Sequence, residues 1–456
     1  MAVSIPYTTI PGMIAPAFPG PEASRLLALQ FQLSQSQFWP ATAIESVQRV
    51  QLSELLRHAW KEIPFYRERL QATGWNPRDW IEFEQFRQLP LLTRDQAVDA
   101  GESLLSANLP EGHGKVHCRS TSGSTGKPLT AWNTEVSQQL HYALHLRYFL
   151  WHRRDFSRDV ATIRSDAKQH APAPEGKTFT NWGPWLKPIF ATGKSYFLSA
   201  ASGIAEQLDW LQRRRAPYLY TFPSNLAALL DAVEEQDTDL GFLEGIGTLG
   251  EAVSGELRER VRERFGWGLS DVYSSNEMGY MAMQCPQHDH YHVTSENVYL
   301  EVLDEQGRPC KPGQVGRVVV TGLCNFAAPL IRYEIGDYAE VGEACDCGRQ
   351  LPVIKRFIGR VRNMLKHPDG SIVFPYFSAR GLKQFAPIRQ FQLQQTGAQN
   401  LLLKLVVSSR PGPQAEAGMR QLLQEHLNYP FAIDIEYVEQ IERSASGKFE
   451  DFMCLI

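Results

Sequence analysis

The stretch Arg119-Ser120-Thr121-Ser122-Gly123-Ser124-Thr125-Gly126-Lys127-Pro128 is made almost wholly of hydroxyl-bearing, glycine and basic residues. That is the composition a backbone needs to wrap a polyphosphate. Glycines let successive N–H groups converge on one anion without Cβ clashes, the hydroxyls add donors, and Lys127 adds a mobile positive charge. The spacing excludes a Walker A loop, which needs a longer gap between its first glycine and the Gly-Lys pair, and then Ser or Thr. Here Gly123 and Gly126 are too close and Pro128 follows the lysine. A flexible Ser/Gly linker is the plainer alternative. Against it, Val116 to Arg119 alternate like a strand end and Thr134 to Leu150 read as a helix, so the loop joins two ordered elements.

Three further constellations carry chemistry. Tyr273-Ser274-Ser275-Asn276-Glu277 falls at the carboxyl end of an expected parallel strand, where open α/β sheets place their ligands. Glu277 is a hard oxygen ligand suited to Mg²⁺, and Tyr273 offers a flat face for a purine. An N-capping cluster at a strand-end turn is the alternative. Arg332-Tyr333-Glu334-Ile335-Gly336-Asp337, followed by Gly359-Arg360, sets a carboxylate beside a glycine turn, able to grip both hydroxyls of a ribose, with a guanidinium nearby. The last is Ser444-Ala445-Ser446-Gly447-Lys448, a small loop presenting one lysine, for which a frayed basic tail is the alternative.

The elements that must position these groups follow a changing rhythm. The chain starts helical from about Ser46 to Leu70, and Leu89 to Asp95 reads as a turn capping the next helix. From Asp159 onward, short apolar runs (160–163, 218–221, 246–249, 269–273) alternate with helices (225–233, 254–265), the pattern of a parallel sheet. A hairpin follows, with strands 298–303 and 315–321. Beyond Gly359 a compact α+β unit is expected, with strands 391–395, 401–408 and, last, 433–438, and a helix over 415–427. The reading is a large α/β domain with mixed sheets over residues 1–360 and a small α+β domain over 361–456, without internal repeats.

It is the order and spacing of all four constellations together that resembles the adenylate-forming superfamily of acyl-CoA synthetases and adenylation domains. Ile63-Pro64-Phe65-Tyr66, Leu89-Pro90-Leu91 and Cys345-Asp346-Cys347-Gly348-Arg349 make it most similar to the phenylacetate-CoA ligase branch. The resemblance implies a two-step ligase: a carboxylate attacks ATP with Mg²⁺ to give an acyl-adenylate and pyrophosphate, and then a thiol displaces AMP. It assigns Thr121, Ser122, Gly123, Ser124, Thr125, Gly126 and Lys127 to the β and γ phosphates, and Glu277 to Mg²⁺. Tyr273, with Ser274, would meet adenine, Gly250 and Glu251 would line its pocket, and Asp337 and Arg360 would hold the ribose. Lys448 would be catalytic, reaching the carboxylate and α-phosphate from the small domain. That domain rotates between steps in this family, but Arg362-Asn363 stands where the hinge usually has Asp. The acceptor is therefore expected to be CoA, with an acyl carrier protein or an amine as alternatives, and a catalytically silent nucleotide-binding protein as a rival. Trp182, Trp185, Tyr196 and Tyr220 fall where the family often builds its acyl pocket.

Cys285, the trio His288, His290 and His292, and the pair Cys345 and Cys347 supply the ligand types of a tetrahedral Zn²⁺ site. Buried thiols beside solvated histidines are the alternative. The resemblance favours His292, just before Ser295-Glu296-Asn297, with His288 or His290 in reserve. His141 and His145 are spaced one helical turn apart without a third ligand, and read as structural. A net charge of −4, seven unevenly spaced cysteines and no long apolar run describe a cytoplasmic protein with reduced thiols, without nucleic acid or membrane as partners. Its expected partner is a small carboxylic acid.

Overall fold

The computed structural model describes residues 5–120, 129–165, 170–360, 364–369, 372–373, 379–441, 449 and 451–456. Thr121 to Lys127, Arg362-Asn363 and Lys448 lie outside the described residues. The chain opens with α1 (Pro21–Ser36), α2 (Ala41–Glu62), α3 (Pro64–Gln71), α4 (Phe83–Phe86) and α5 (Arg94–Ala100). Pro64 ends α2 and starts α3, where its missing N–H costs nothing. Thr93 and Gln96 form a reciprocal capping box that fixes the start of α5. A two-stranded ribbon, β1 (Val116–Ser120) and β2 (Thr130–Thr134), then leads into α6 (Glu135–Trp151), whose N-cap Thr134 accepts a bond from the Ser137 N–H.

The next twelve strands form one sheet: β3 (Val160–Arg164), β4 (Lys177–Phe179), β5 (Ser195–Ser199), β6 (Tyr218–Thr221), β7 (Gly245–Leu249), β8 (Ser270–Ser275), β9 (Gly279–Gln284), β10 (Tyr291–Val293), β11 (Val298–Leu303), β12 (Val315–Gly322), β13 (Tyr333–Val341) and β14 (Val353–Arg360). Their spatial order is β11-β12-β13-β14-β10-β9-β8-β7-β6-β3-β5-β4. Strands β5, β3, β6, β7 and β8 run parallel; β9 turns back against β8, and everything from β9 to β11 is antiparallel. Helices α7 (Ile204–Arg214), α8 (Pro223–Gln236) and α9 (Gly255–Phe265) make the crossovers of the parallel half. A short pair follows, β15 (Leu365–Lys366) and β16 (Ile372–Val373), and then α10 (Ala379–Lys383). The chain closes with a four-stranded sheet of β17 (Ile388–Gly397), β18 (Asn400–Val407), β19 (Ala432–Tyr437) and β20 (Phe452–Cys454), with α11 (Pro413–His426) between β18 and β19.

Burial follows this layout. Leu52, Leu55 and Leu56 of α2 pack on Val318, Val320 and Tyr333 behind the antiparallel half. Trp210, Leu226 and Val261 of the crossover helices close over Ile163, Leu198 and Ile246 of the parallel half. Leu144 and Tyr148 of α6 join Leu26 of α1 and Met283 of β9 in a third core. Each fully buried leucine contributes about 1.5–3 kcal/mol, so these three cores fix the helices against the sheet and leave its carboxyl edge to carry the site.

Two expectations change. The segment after Arg332 is a strand rather than a glycine turn, and it carries a bulge: Glu334 pairs with Val319 and Tyr338 with Arg317, leaving the residues between them to oppose Val318 alone. Gly336, at φ +86, supplies the left-handed residue that such a bulge needs. The strand over 432–437 is not the last either, because β20 follows it and lies parallel to β17. Strands β4, β5, β9, β10 and β14, too short or too mixed in pattern to stand out in the sequence, complete the sheet.

Candidate active site

The bulge in β13 re-aims Asp337 across the sheet, where its Oδ2 accepts a hydrogen bond of 2.6 Å from the Tyr273 hydroxyl at the end of β8. Asp337 is also the register partner of Arg360 on β14. Phe357, on the same strand, stacks on the Tyr273 ring with centroids 3.7 Å apart and planes 15° from parallel. Tyr273, Asp337 and the backbone of Arg360 are thus brought to one place by three strands that are far apart in sequence. Phe357 is an addition that sequence reasoning misses; its place two residues before Gly359 on an alternating strand is the available signal. Glu277 follows in the turn between β8 and β9, its side chain only 7% exposed and its Oε1 3.5 Å from the Arg94 guanidinium of α5. Arg94 is a second addition, marked in the sequence only by its place next to the capping Thr93.

Gly250 carries the chain out of β7 with φ +84. The next carboxylate, Glu251, accepts from the Ser224 backbone N–H at 2.9 Å and from its hydroxyl at 3.1 Å, at the positive N-terminal end of α8. Glu251 also accepts a 2.9 Å bond from the Phe449 N–H, the residue after Lys448. That contact brings the chain beside Lys448 to the carboxyl edge of the large sheet. Lys383 of α10 pairs with Asp231 of α8 at 2.6 Å on the same side. Arg332 serves the fold instead. Its guanidinium is buried, paired with Glu301 at 3.1 Å, and it donates to the carbonyls of Arg87 and Leu89. Breaking such a buried pair on one side costs about 3–5 kcal/mol, so Arg332 ties the β11–β13 meander to the segment before α5.

A cluster of packed rings lies beside the Glu277 turn. His145 of α6 stacks on Trp185 at 4.8 Å and faces Tyr280 of β9 at 5.5 Å; His141 meets Tyr280 at 4.9 Å, and Tyr142 stacks on Trp185 at 5.7 Å. Tyr220 and Trp182 join through Phe149. Tyr196 does not: its hydroxyl binds Asp159 and its ring lies under Arg214. Burial drives His145 down to about 3, so the imidazole is neutral at pH 7. The two histidines read as structural pack within this ring cluster.

The cysteines and His292 converge. Donor atoms of Cys285, His292, Cys345 and Cys347 all lie within 4.8 Å of one another. The Cys285 and Cys345 sulfurs are 3.9 Å apart and the Cys347 sulfur is 3.3 Å from His292 Nε2. A tetrahedral Zn²⁺ with bonds of about 2.3 Å to sulfur sets its sulfurs about 3.8 Å apart, so the quartet fits that ion. His292 Nδ1 lies 3.4 Å from the Leu351 carbonyl, the outer contact that orients a ligating imidazole. Backbone N–H groups of Gln287 and Cys347 point at the Cys285 and Cys345 sulfurs. Burial and crowding push the Cys345 thiol up to about 12, and Cys285 upward too; Cys347 is lowered, because bonds from Arg349 outweigh its burial. A divalent cation reverses such crowding outright. His288 instead pairs with Asp346 at 2.5 Å and stacks on His290 at 5.0 Å, outside the quartet.

Comparisons with known proteins agree with this geometry. The family described as AMP-binding enzyme matches residues 120–328, and the CapK C-terminal domain matches residues 365–453. Phenylacetate-coenzyme A ligase of Thermus thermophilus is 25% identical over 337 residues, 72% of each chain. Protein CapK of Staphylococcus aureus is 21% identical over 432 residues, covering 88% of this chain and 87% of that one. Among solved structures, 2-hydroxyisobutyryl-CoA ligase in the postadenylation state with 2-HIB-AMP superposes with TM-score 0.72 at 17% identity, over 92% of this chain and 91% of that one. The fold is that of adenylate-forming enzymes. The AMP-binding match and these relatives make the chain similar to the phenylacetate-CoA ligase branch, and support an AMP-forming acid ligase.

Proposed function

We propose that this enzyme joins an aryl or arylalkyl carboxylic acid to CoA through an acyl-adenylate. The observation that carries the reading is the Tyr273–Asp337–Phe357 platform beside Glu277, with the chain next to Lys448 hydrogen-bonded at the same sheet edge. One carboxylate oxygen of the acid attacks the α-phosphorus of ATP, the bond to the β-phosphate oxygen breaks, and pyrophosphate leaves. The CoA sulfur then attacks the acyl carbon, the bond to the AMP oxygen breaks, and the thiol proton passes to solvent. Tyr273 covers adenine on the face away from Phe357, Asp337 and Arg360 take the ribose hydroxyls, and residues 121–127 cradle the outer phosphates. Lys448 stabilises charge building on the α-phosphate oxygens during adenylation. Glu277 holds Mg²⁺, which neutralises phosphate charge when bound. The aryl group packs against the ring cluster of His141, His145, Trp185 and Tyr280, as flat apolar faces suit. A division at residue 360 lets the part carrying Lys448 move between the two steps. The Cys285, His292, Cys345 and Cys347 quartet holds a structural Zn²⁺.

Carboxylate-dependent ATP/pyrophosphate exchange over aryl, arylalkyl and fatty acids tests this. Exchange with aryl or arylalkyl acids, lost in Lys448→Ala, is the expected result. Exchange confined to fatty acids removes the aryl assignment, and none with any acid removes the ligase. Metal analysis of protein purified without added metal is expected to find close to one zinc per chain; its absence removes the zinc assignment.

A further inference from the structure

The small α+β unit meets helix α8 of the large sheet through polar contacts. Lys383 of α10 sets its ammonium 2.6 Å from an Asp231 carboxylate oxygen, and the Phe449 N–H donates to Glu251, which also accepts from the Ser224 hydroxyl. Ser224 and Asp231 are about two helical turns apart, so they lie on one stripe of α8 at a separation of about 10 Å. Two points at that spacing orient the unit against the sheet edge. The apolar cores stay separate: Leu382, Leu393, Leu403 and Met419 belong to a cluster of the small unit, and Leu226, Leu229, Leu230 and Val233 of α8 to the core of the crossover helices.

Both acceptors on the sheet side are satisfied without the small unit. Glu251 keeps the Ser224 N–H at 2.9 Å and its hydroxyl at 3.1 Å, and Asp231 keeps Arg260 of α9 at 2.9 Å. Arg260 also lies 3.0 Å from Glu234, so two carboxylates of α8 share one guanidinium, and the negative charge left over is met by Lys383. The Lys383 and Asp231 side chains are 30% and 25% exposed, which lets the ammonium return to water when the pair opens. Opening it strands no charge. The Arg332–Glu301 pair, with side chains 4% and 3% exposed, is the contrasting permanent tie, because breaking it leaves a buried ion alone.

We infer that Lys383 and Asp231 are a releasable docking pair: with Glu251 they hold the chain beside Lys448 at the sheet edge for adenylation, and they let it go for acyl transfer to CoA. This rests on the two-step ligase reading above and on movement of the part after residue 360. What it adds is the residues that set the balance between the two positions. Lys383 and Asp231 act as positioning residues, through Lys448.

The two half-reactions are measured separately in wild type, Lys383→Ala, Lys383→Glu and Lys383→Arg. Acid-dependent ATP/pyrophosphate exchange reports the first, and CoA-dependent consumption of preformed acyl-adenylate the second. Lys383→Ala is expected to lower exchange about fivefold and Lys383→Glu about tenfold, with Lys383→Arg near wild type. Transfer to CoA is expected to be unchanged or faster in all three, with Tm unchanged. Asp231→Asn is expected to lower exchange much less in the Lys383→Ala background than in wild type, as for a pair that acts through each other. Equal losses in both half-reactions make the pair a static brace and overturn the proposal, and so does unchanged exchange in Lys383→Glu; both leave the ligase intact. If no acid supports exchange, the ligase reading fails by itself, and a water-soluble carbodiimide then decides. It condenses the Lys383 amine with the Asp231 carboxylate to an amide, with loss of water. A Lys383–Asp231 link in peptide mass spectra whose yield falls with rising salt upholds a releasable pair. No link, or one indifferent to salt, ends it.

Discussion

The Cys/His quartet and the platform of Tyr273, Asp337 and Phe357 flank the same joint of the sheet, yet they are assembled in opposite ways. The quartet draws four donors from the end of β9, from β10 and from the loop before β14 into a cluster spanning 4.8 Å. The platform is spread over β8, β13, β14 and α5 and depends on a bulge, a ring stack and two polar contacts. One is closed by its own chemistry; the other is held open by the fold. The connection between them is β14, which pairs with β10 through Val353 opposite His292 and carries Phe357 under Tyr273. A metal at the quartet would therefore stiffen the strand that supports the platform.

Perturbations should separate the two regions. The largest effect is expected from Lys448→Ala, which should lower pyrophosphate exchange about 10²- to 10³-fold, measured by steady-state assay, with zinc content and Tm unchanged. Tyr273→Phe removes the bond to Asp337, and its KM for ATP should rise about tenfold, as expected for a hydrogen bond to a charged group. Cys347→Ser should act in the reverse sense, abolishing bound zinc by metal analysis and lowering Tm by several degrees, with a smaller rise in KM for ATP passed on through β14. A Cys347→Ser protein that keeps its Tm would uncouple the two regions.

The smallest effect concerns pH. His145 and His152 are held neutral by burial, their pKa values falling from 6.5 to about 3. A histidine depressed in the fold takes up its proton more readily when unfolded, so its stabilising contribution is complete above 6.5 and is lost as pH falls below it. Asp271 runs the other way: burial raises it from 3.8 to about 6 despite Arg258 and bonds from Tyr291 and Thr248. The fold therefore gains a proton there as pH drops below 6, offsetting one of the histidines. Net stability should fall modestly between pH 6.5 and 4.5, and His152→Gln should flatten that slope in thermal unfolding followed against pH.

How much of the fold and the site is legible in the sequence depends on contiguity. Cys345 and Cys347 and the trio around His290 announce themselves by residue type, and the strand-helix alternation from Asp159 onward gives the parallel half directly. Arg332 to Asp337 is visible as a motif, but its glycine points to a turn because a one-strand view cannot distinguish a turn from a bulge. Phe357 and Arg94 are barely legible, marked only by an alternating strand before Gly359 and by a neighbouring capping Thr93. Each is an ordinary residue made significant only by what the sheet sets beside it. His141 and His145 read as structural from their spacing, and their packing among the rings agrees.

The identity of the nucleotide product, when ATP, Mg²⁺, a responsive acid and CoA are mixed with the enzyme, decides between this chemistry and its rivals. AMP and acyl-CoA are expected in equal amounts, with AMP release accelerated by CoA and abolished without the acid. ADP as product, or AMP release indifferent to CoA, would contradict an acyl-adenylate passed to a thiol.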